Sequence, residues 1–82
     1  MVQFDKVQAN IAVNIKMRRA ELSISQEQLA LRSETQRSQI SLIELQQANP
    51  TIKTLHQIAT VLDMDVHELL LPRPPVSKAG TR

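Results

Sequence analysis

Apolar residues recur along this chain at spacings of three and four residues, which is the repeat of an amphipathic helix. The clearest stretch lies between residues 52 and 62, where the apolar positions are Ile52, Leu55, Ile58, Ala59 and Leu62. A longer first helix is predicted to end near residue 22, and its apolar stripe comprises Phe4, Val7, Ile11, Ile15 and Leu22. Strict alternation of apolar and polar residues, the signature of a strand, is rare, so the pattern predicts an all-α fold.

Three helix starts show the spacing of a capping box, in which a short polar residue is answered three positions later by glutamine or glutamate. The pairs are Asp5 with Gln8, Ser25 with Gln28, and Asp65 with Glu68. The Asn49-Pro50-Thr51 stretch predicts a turn followed by a helix cap. A further helix over residues 36–45, with Ile40 and Ile43 buried, completes a set of five.

The chain has 82 residues, no cysteine and one glycine. This length supports one domain, which we place at residues 1–71. Pro72, Pro74 and Pro75 are expected to end the last helix, and residues 72–82 are predicted to form an extended, mobile tail that begins with polyproline character. Without cysteine, a disulfide framework and a cysteine-ligated zinc site are excluded, and a reducing cytoplasm is the expected location. Neither a signal peptide nor a membrane span is recognisable.

The formal net charge of +2 permits nucleic-acid binding without demanding it. Most lysines and arginines lie in the first two-thirds of the chain, whereas Asp63, Asp65 and Glu68 cluster after it. Phe4 is the only aromatic residue, so the chain lacks the aromatic side chains on which proteins stack single-stranded bases. A nucleic-acid partner is therefore expected to be a duplex.

Residues 25–44 have the pattern of two short helices joined by a turn of about three residues. Two helices that cross at a steep angle need a small residue at their contact, and Ala30 provides it. Leu29, Ile40 and Ile43 are apolar at the positions that hold the second helix against the first. The remaining face of that second helix is then free to point outward.

This stretch resembles the phage lambda-repressor and Cro-type (XRE-like) helix-turn-helix family, and it is similar to the controller proteins of restriction–modification systems. The resemblance covers about residues 11–71. It is carried by Ser25-Gln26-Glu27, Leu29-Ala30, Arg37-Ser38, Ile40-Ser41, Ile43-Glu44, Asn49-Pro50 and, later, by Leu62 and Glu68-Leu69-Leu70. It implies a five-helix, lambda-repressor-like domain that binds double-stranded DNA and regulates transcription, in a protein of bacterial, phage or plasmid origin.

The resemblance also implies an ion pair between Arg19 and Glu44, with two unrelated surface charges as the alternative. Glu34 and Gln46 stand where the family has glycine. We therefore expect the turn after the first motif helix to differ in shape, and the recognition helix to run on past its usual end. Gln36 occupies a capping position that the family gives to a small hydroxyl residue, and Thr35 is the alternative cap.

In such proteins the N-terminal part of the second motif helix reads base edges in the major groove. The outward positions, and hence the base-reading candidates, are Gln36, Arg37, Ser38, Ser41 and Leu42. Arg37 leads because a guanidinium matches the two acceptors of guanine; the alternative is an ordinary surface arginine. The candidates for phosphate contacts are Gln26, Gln46, Gln47, Asn49, Thr51 and Lys53. For Gln47 and Lys53, simple solvated side chains are an equally open interpretation.

A weakly basic chain is expected to need two copies to hold a site, so we predict a homodimer on a two-fold symmetric operator. The candidate interface residues are Val61, Met64, Val66, Leu69 and Leu70, with Leu71 beside them. An equally favoured interpretation is that these residues are buried in the core of the single chain. A second apolar stripe is the less favoured alternative, and it consists of Ala9, Val13 and Met17.

The sequence gives little indication of a catalytic or metal site. Asp63, Asp65 and His67 form an Asp-x-Asp-x-His string, but Asp65 is better explained as a helix cap, so no metal is expected. No serine has a plausible base and orienting partner, so we expect neither an enzyme nor a cofactor nor a small-molecule ligand.

The competing function is a protein-interaction module of the same fold, antitoxin-like or coactivator-like, with DNA binding secondary. Such a module would expose aromatic or aliphatic residues where this chain has Arg37.

Overall fold

A computed structural model describes residues 3–73, and within that range the chain is helical with no strand. The five helices are α1 (Phe4–Leu22), α2 (Gln26–Ser33), α3 (Arg37–Glu44), α4 (Ile52–Val61) and α5 (Val66–Leu70). The all-α, five-helix prediction is confirmed. Of the predicted tail, Pro72 and Arg73 are non-helical, and residues 74–82 lie outside the described part of the chain. None of the described helices has the length and apolarity needed to cross a membrane.

All five helices contribute to one apolar core. Its fully buried large side chains are Ile15, Leu29, Ile40, Ile58, Leu62 and Leu69. Three residues assigned to apolar stripes, Phe4, Leu22 and Ile52, are instead exposed, and Ile52 retains 78% of its accessible surface. Each is the first or last residue of its helix, so it extends past the neighbouring helices that bury the rest of the stripe.

Two of the three predicted capping boxes are present at helix starts. The Ser25 hydroxyl accepts from the Gln28 amide at 3.0 Å, and Gln28 Oε1 accepts from the Ser25 amide at 2.9 Å. At α5, Glu68 Oε1 accepts from the Asp65 amide at 2.8 Å. The box predicted at Asp5 is wrong, because the N-cap of α1 is Gln3, two residues earlier, and Asp5 lies within the first turn of the helix.

Four helices end in a left-handed residue that is not glycine. Ser23, Glu34, Gln46 and Asp63 have φ between 58° and 62°. After α2, the Thr35 amide donates to the Ala30 carbonyl at 2.9 Å and the Glu34 amide donates to the Leu31 carbonyl at 3.3 Å, which is the Schellman pattern. The expectations of a differently shaped turn at Glu34 and a prolonged α3 are therefore wrong. The hydrogen bonds and packing of the helix ends outweigh a backbone cost of about 1–2 kcal/mol.

The polar side of α1 binds the C-terminal part of the fold, a role that the sequence pattern did not predict. Asn14 is buried, and its Nδ2 donates to three carbonyl oxygens at the end of α5 at 2.8–3.1 Å. Asn10 Nδ2 donates to the Leu70 carbonyl at 3.0 Å, and Arg18 Nε donates to the Leu62 carbonyl at 2.8 Å. These side chains satisfy carbonyl groups that helix ends leave without partners.

Candidate nucleic-acid interface

Helices α2 and α3, with residues 34–36 between them, form the helix-turn-helix unit predicted from the sequence. Leu29 and Ala30 of α2 are buried, as are Ile40 and Ile43 of α3. The small side chain of Ala30 allows the two helices to approach closely. Their apolar faces hold α3 so that its opposite side points away from the core.

The five base-reading candidates lie at the N-cap and along α3. Gln36, Arg37, Ser38 and Leu42 are exposed and Ser41 is partly buried. Gln36 is the N-cap residue, but its side chain makes no capping hydrogen bond. The alternative cap is wrong too, because the Thr35 hydroxyl lies 2.8 Å from the Ser33 hydroxyl instead. Gln36 and Arg37 are thus both exposed at the start of α3, and the Gln36 side chain is not used for capping.

An ion pair lies at the other end of α3. Arg19 Nε and Nη2 donate to the two carboxylate oxygens of Glu44 at 2.7 Å and 3.0 Å, in the two-pronged geometry that suits a guanidinium. Arg19 Nη1 also donates to the Ile24 carbonyl at 3.0 Å. Only 4% of the Glu44 side chain and 19% of the Arg19 side chain remain exposed. The hydrogen bonds to Glu44 raise the pKa of Arg19 above its ordinary value, and burial opposes that rise.

Gln26, a candidate for phosphate contact, also reaches Glu44. Its Nε2 donates to Glu44 Oε1 at 3.1 Å, and the side chain is partly buried. One of its two amide hydrogens is therefore used inside the protein. Helices α1, α2 and α3 are all joined at this carboxylate, so Gln26 both begins α2 and helps to hold the end of α3.

The remaining candidates for phosphate contact lie between α3 and the first turn of α4, and all are exposed: Gln46, Gln47, Asn49, Thr51 and Lys53. The Thr51 hydroxyl caps α4, as predicted, by accepting from the Thr54 amide at 3.1 Å. The same hydroxyl donates to Thr54 Oγ1 at 3.0 Å, so its hydrogen is already used within the protein. A phosphate contact by Thr51 would therefore have to come from its backbone amide.

Gln8 is a residue of this region that sequence reasoning misplaced. Instead of capping α1, its Nε2 donates to Asn49 Oδ1 at 2.8 Å and to the Ala48 carbonyl at 3.3 Å. The contact joins residues 41 positions apart, so no local pattern signals it.

The candidate interface residues for a second copy divide into three groups by burial. Leu69 is fully buried, so it closes the core and offers no surface to a partner. Val61, Met64 and Val66 are partly buried against the core. Leu70 and, at 53%, Leu71 are exposed.

The alternative stripe on α1 is exposed at Val13 and Met17. These residues lie one helical turn from Asn10 and Asn14, which bind the carbonyls of Leu70 and Leu71. At the Asp63, Asp65 and His67 string, and elsewhere in residues 3–73, no group of three potential metal ligands is assembled.

An outward-facing second helix on a helix-turn-helix frame defines a class of DNA-binding domains. A family model described as helix-turn-helix matches residues 15–69, and the chain belongs to this family. A solved structure of a hypothetical transcription factor, NHTF, from Neisseria is similar, with a TM-score of 0.79 and 28% identity over 82% of this chain and 75% of that one. The restriction-modification controller protein C.AhdI from Aeromonas hydrophila has a TM-score of 0.72 and 29% identity over 76% of this chain and 94% of its own. No curated protein matches.

Proposed function

We propose that the chain is a sequence-specific regulator of transcription that binds double-stranded DNA with α3 in the major groove. The observation that carries the proposal is the exposed Arg37 in the first turn of α3, a helix that is held to the core by the buried Ile40 and Ile43. Membership of the helix-turn-helix family supports it, as do the printed descriptions of the two similar structures, a transcription factor and a controller protein.

The outward residues of α3 differ in what they read. Arg37 pairs with the two acceptors of guanine, and Gln36 pairs with the donor and acceptor of adenine. The Leu42 side chain packs against a thymine methyl group, while Ser38 and Ser41 accept or donate according to the base. These contacts supply sequence preference.

Contacts to the DNA backbone come from two places. At the start of α2, Gln26 uses its remaining amide hydrogen and the free backbone amides of the first turn. Around the start of α4, the contacts come from Gln46, Gln47, Asn49, Thr51 and Lys53. Arg18, Arg19 and Arg73 are held in ion pairs within the chain, and the basic residues of α3 and α4 themselves are Arg37 and Lys53.

The weak positive charge favours a dimer on a two-fold symmetric operator, with half-sites about one helical turn apart. We place the contact between copies at Leu70 and Leu71 together with Val13 and Met17, with the partly buried Val61, Met64 and Val66 at its margin. Both apolar stripes considered from the sequence thus belong to one surface. The support is that Asn10 and Asn14 bring the end of α5 against α1.

Selection of duplexes from a random pool, at about physiological salt, tests the proposal. The wild-type protein is expected to enrich a symmetric site. Arg37→Ala should relax one base position in each half-site, at a cost of about 1–3 kcal/mol in discrimination. Arg32→Ala is the matched control, because it removes an exposed arginine of α2 and should leave base preference unchanged. If the wild-type protein enriches no sequence, the proposed regulator function is wrong.

A second candidate function, a protein-interaction module, is favoured by one observation. Leu42 is exposed on α3, and beyond it Leu45 and Ile52 are 59% and 78% exposed. Aliphatic surface of this kind suits a protein partner. Stable capture of a partner protein that is lost on Leu45→Lys, with no enrichment of DNA, would favour this second function.

A further inference from the structure

The hydrogen bonds of Gln8 determine which end of the Asn49 amide faces outward. Gln8 lies between the Ala48 carbonyl, 3.3 Å away, and the Asn49 side chain, 2.8 Å away. A backbone carbonyl can only accept, so the part of Gln8 that faces it must be the NH₂ group. The Gln8 amide is therefore oriented with Nε2, and not Oε1, toward the Ala48 carbonyl.

The orientation of the Gln8 amide also fixes the orientation of the Asn49 amide. The second hydrogen of Gln8 Nε2 points to Asn49, and two NH₂ groups cannot hydrogen-bond to each other, so the near atom of Asn49 is Oδ1. No group in residues 3–73 accepts from Asn49 Nδ2, so both of its hydrogens are left for an acceptor on a bound molecule. The side chain is exposed, two residues before the cap of α4, where we place contacts to the DNA backbone.

We propose that Gln8 is a positioning residue that holds Asn49 with its NH₂ group toward a phosphate of the bound DNA. A phosphate oxygen accepts hydrogen bonds and does not donate them, so an asparagine that presents Nδ2 attracts it and one that presents Oδ1 repels it. Gln8 itself need not touch the DNA. It removes in advance the rotational freedom that Asn49 would otherwise lose on binding. The role rests on the proposed function.

A double-mutant cycle tests this role, with the duplex enriched by the wild-type protein as the probe. Asn49→Ala is expected to weaken binding about tenfold per half-site, the usual effect of losing a hydrogen bond to a charged group. Gln8→Ala should weaken binding about threefold to tenfold, because Asn49 becomes free to rotate. In the Asn49→Ala background, Gln8→Ala should have no further effect. Thermal unfolding of each variant establishes that the fold is retained.

Gln8→Glu provides a sharper variant. A carboxylate at this position accepts from Asn49 Nδ2 and turns Oδ1 outward, so binding should fall by more than in Gln8→Ala. The added negative charge also repels DNA, and Gln8→Glu in the Asn49→Ala background measures that effect alone. The loss in the wild-type background is expected to exceed it.

Salt dependence separates this contact from a charged one. Asn49→Ala and Gln8→Ala should leave the slope of log K against log salt unchanged, because a neutral donor releases no counterion. Lys53→Ala should reduce the slope by about 0.9 for each phosphate it neutralises. An equal loss on Gln8→Ala in both backgrounds would overturn the role of Gln8 while leaving DNA binding established. A wild-type protein that enriches no duplex would overturn the function and this role together.

Discussion

The carboxylate of Glu44 joins helices α1, α2 and α3. It lies at the end of α3, and its carboxylate accepts hydrogen bonds from Arg19 of α1 and Gln26 of α2. Its burial means that the charge depends on these partners, because little water reaches it. The carboxylate therefore adds polar contacts to the apolar packing that orients α3.

The ion pair makes a testable contribution to stability. Arg19→Met leaves the Glu44 carboxylate with only Gln26, so the free energy of unfolding should fall by about 3–5 kcal/mol. Adding Glu44→Leu should recover much of that loss, because no buried charge then lacks a partner. Urea unfolding followed by circular dichroism measures both. Arg32→Met is the control, with an expected change within about 0.5 kcal/mol. An equal loss in Arg19→Met and Arg32→Met would contradict the importance of the pair.

At the scale of the helices, four of the five described helices are followed by a left-handed residue other than glycine. Serine and aspartate tolerate the left-handed region to some extent, whereas glutamate and glutamine have little local compensation there. Glu34 and Gln46 therefore carry backbone strain on either side of α3. Their φ values of 59° and 62° are those that glycine adopts freely.

Glu34→Gly is expected to stabilise the protein. Relief of about 1–2 kcal/mol of strain, less the greater entropy that glycine loses on folding, leaves a gain of roughly 0.5–1 kcal/mol. The melting temperature should rise by about 2–8 °C. Glu27→Gly is the matched control, since it removes the same side chain within α2 and should lower stability by about 1 kcal/mol. A lower melting temperature for Glu34→Gly would show that its side chain has a stabilising role.

At the scale of the whole molecule, α1 separates two surfaces. Arg19 and Gln8 on one side hold α3 and the segment that leads into α4. Asn10 and Asn14 on the other side hold the end of α5. The proposed dimer surface is therefore on the far side of α1 from the proposed DNA surface, and two copies can join without covering either recognition helix.

Leu71→Lys tests the arrangement of the dimer. The side chain is exposed, while the contact with Asn14 uses only the backbone carbonyl, so the fold should be retained. Sedimentation should show a monomer where the wild-type protein is a dimer, because each copy would bring a charged lysine into an apolar contact, and two-fold symmetry makes the change twice. Leu31→Lys is the control, as Leu31 is exposed on α2 and lies outside the proposed surface. A dimer that persists in Leu71→Lys and in Val13→Lys would place the interface elsewhere.

The helices, most of the core and the exposure of Arg37 can be predicted from the sequence alone. Apolar periodicity and capping are local effects, so Ser25 with Gln28 and the buried pair Ile40 and Ile43 were recognisable without coordinates. The prediction of a differently shaped turn at Glu34 is wrong. It rests on the backbone preference of glutamate alone, and the packing of α2 against α3 outweighs that preference.

The polar side chains that hold the helices together can be identified only from the packed fold. Gln8 looked like a helix cap and instead binds Asn49, and Asn14 gave no signal although it binds three carbonyls of a helix more than 50 residues away. Leu69 and Leu70 are neighbours of the same type, yet one is buried and the other exposed. The physical reason is that such contacts depend on how whole helices pack, and helix packing brings together residues whose local sequences carry no information about each other.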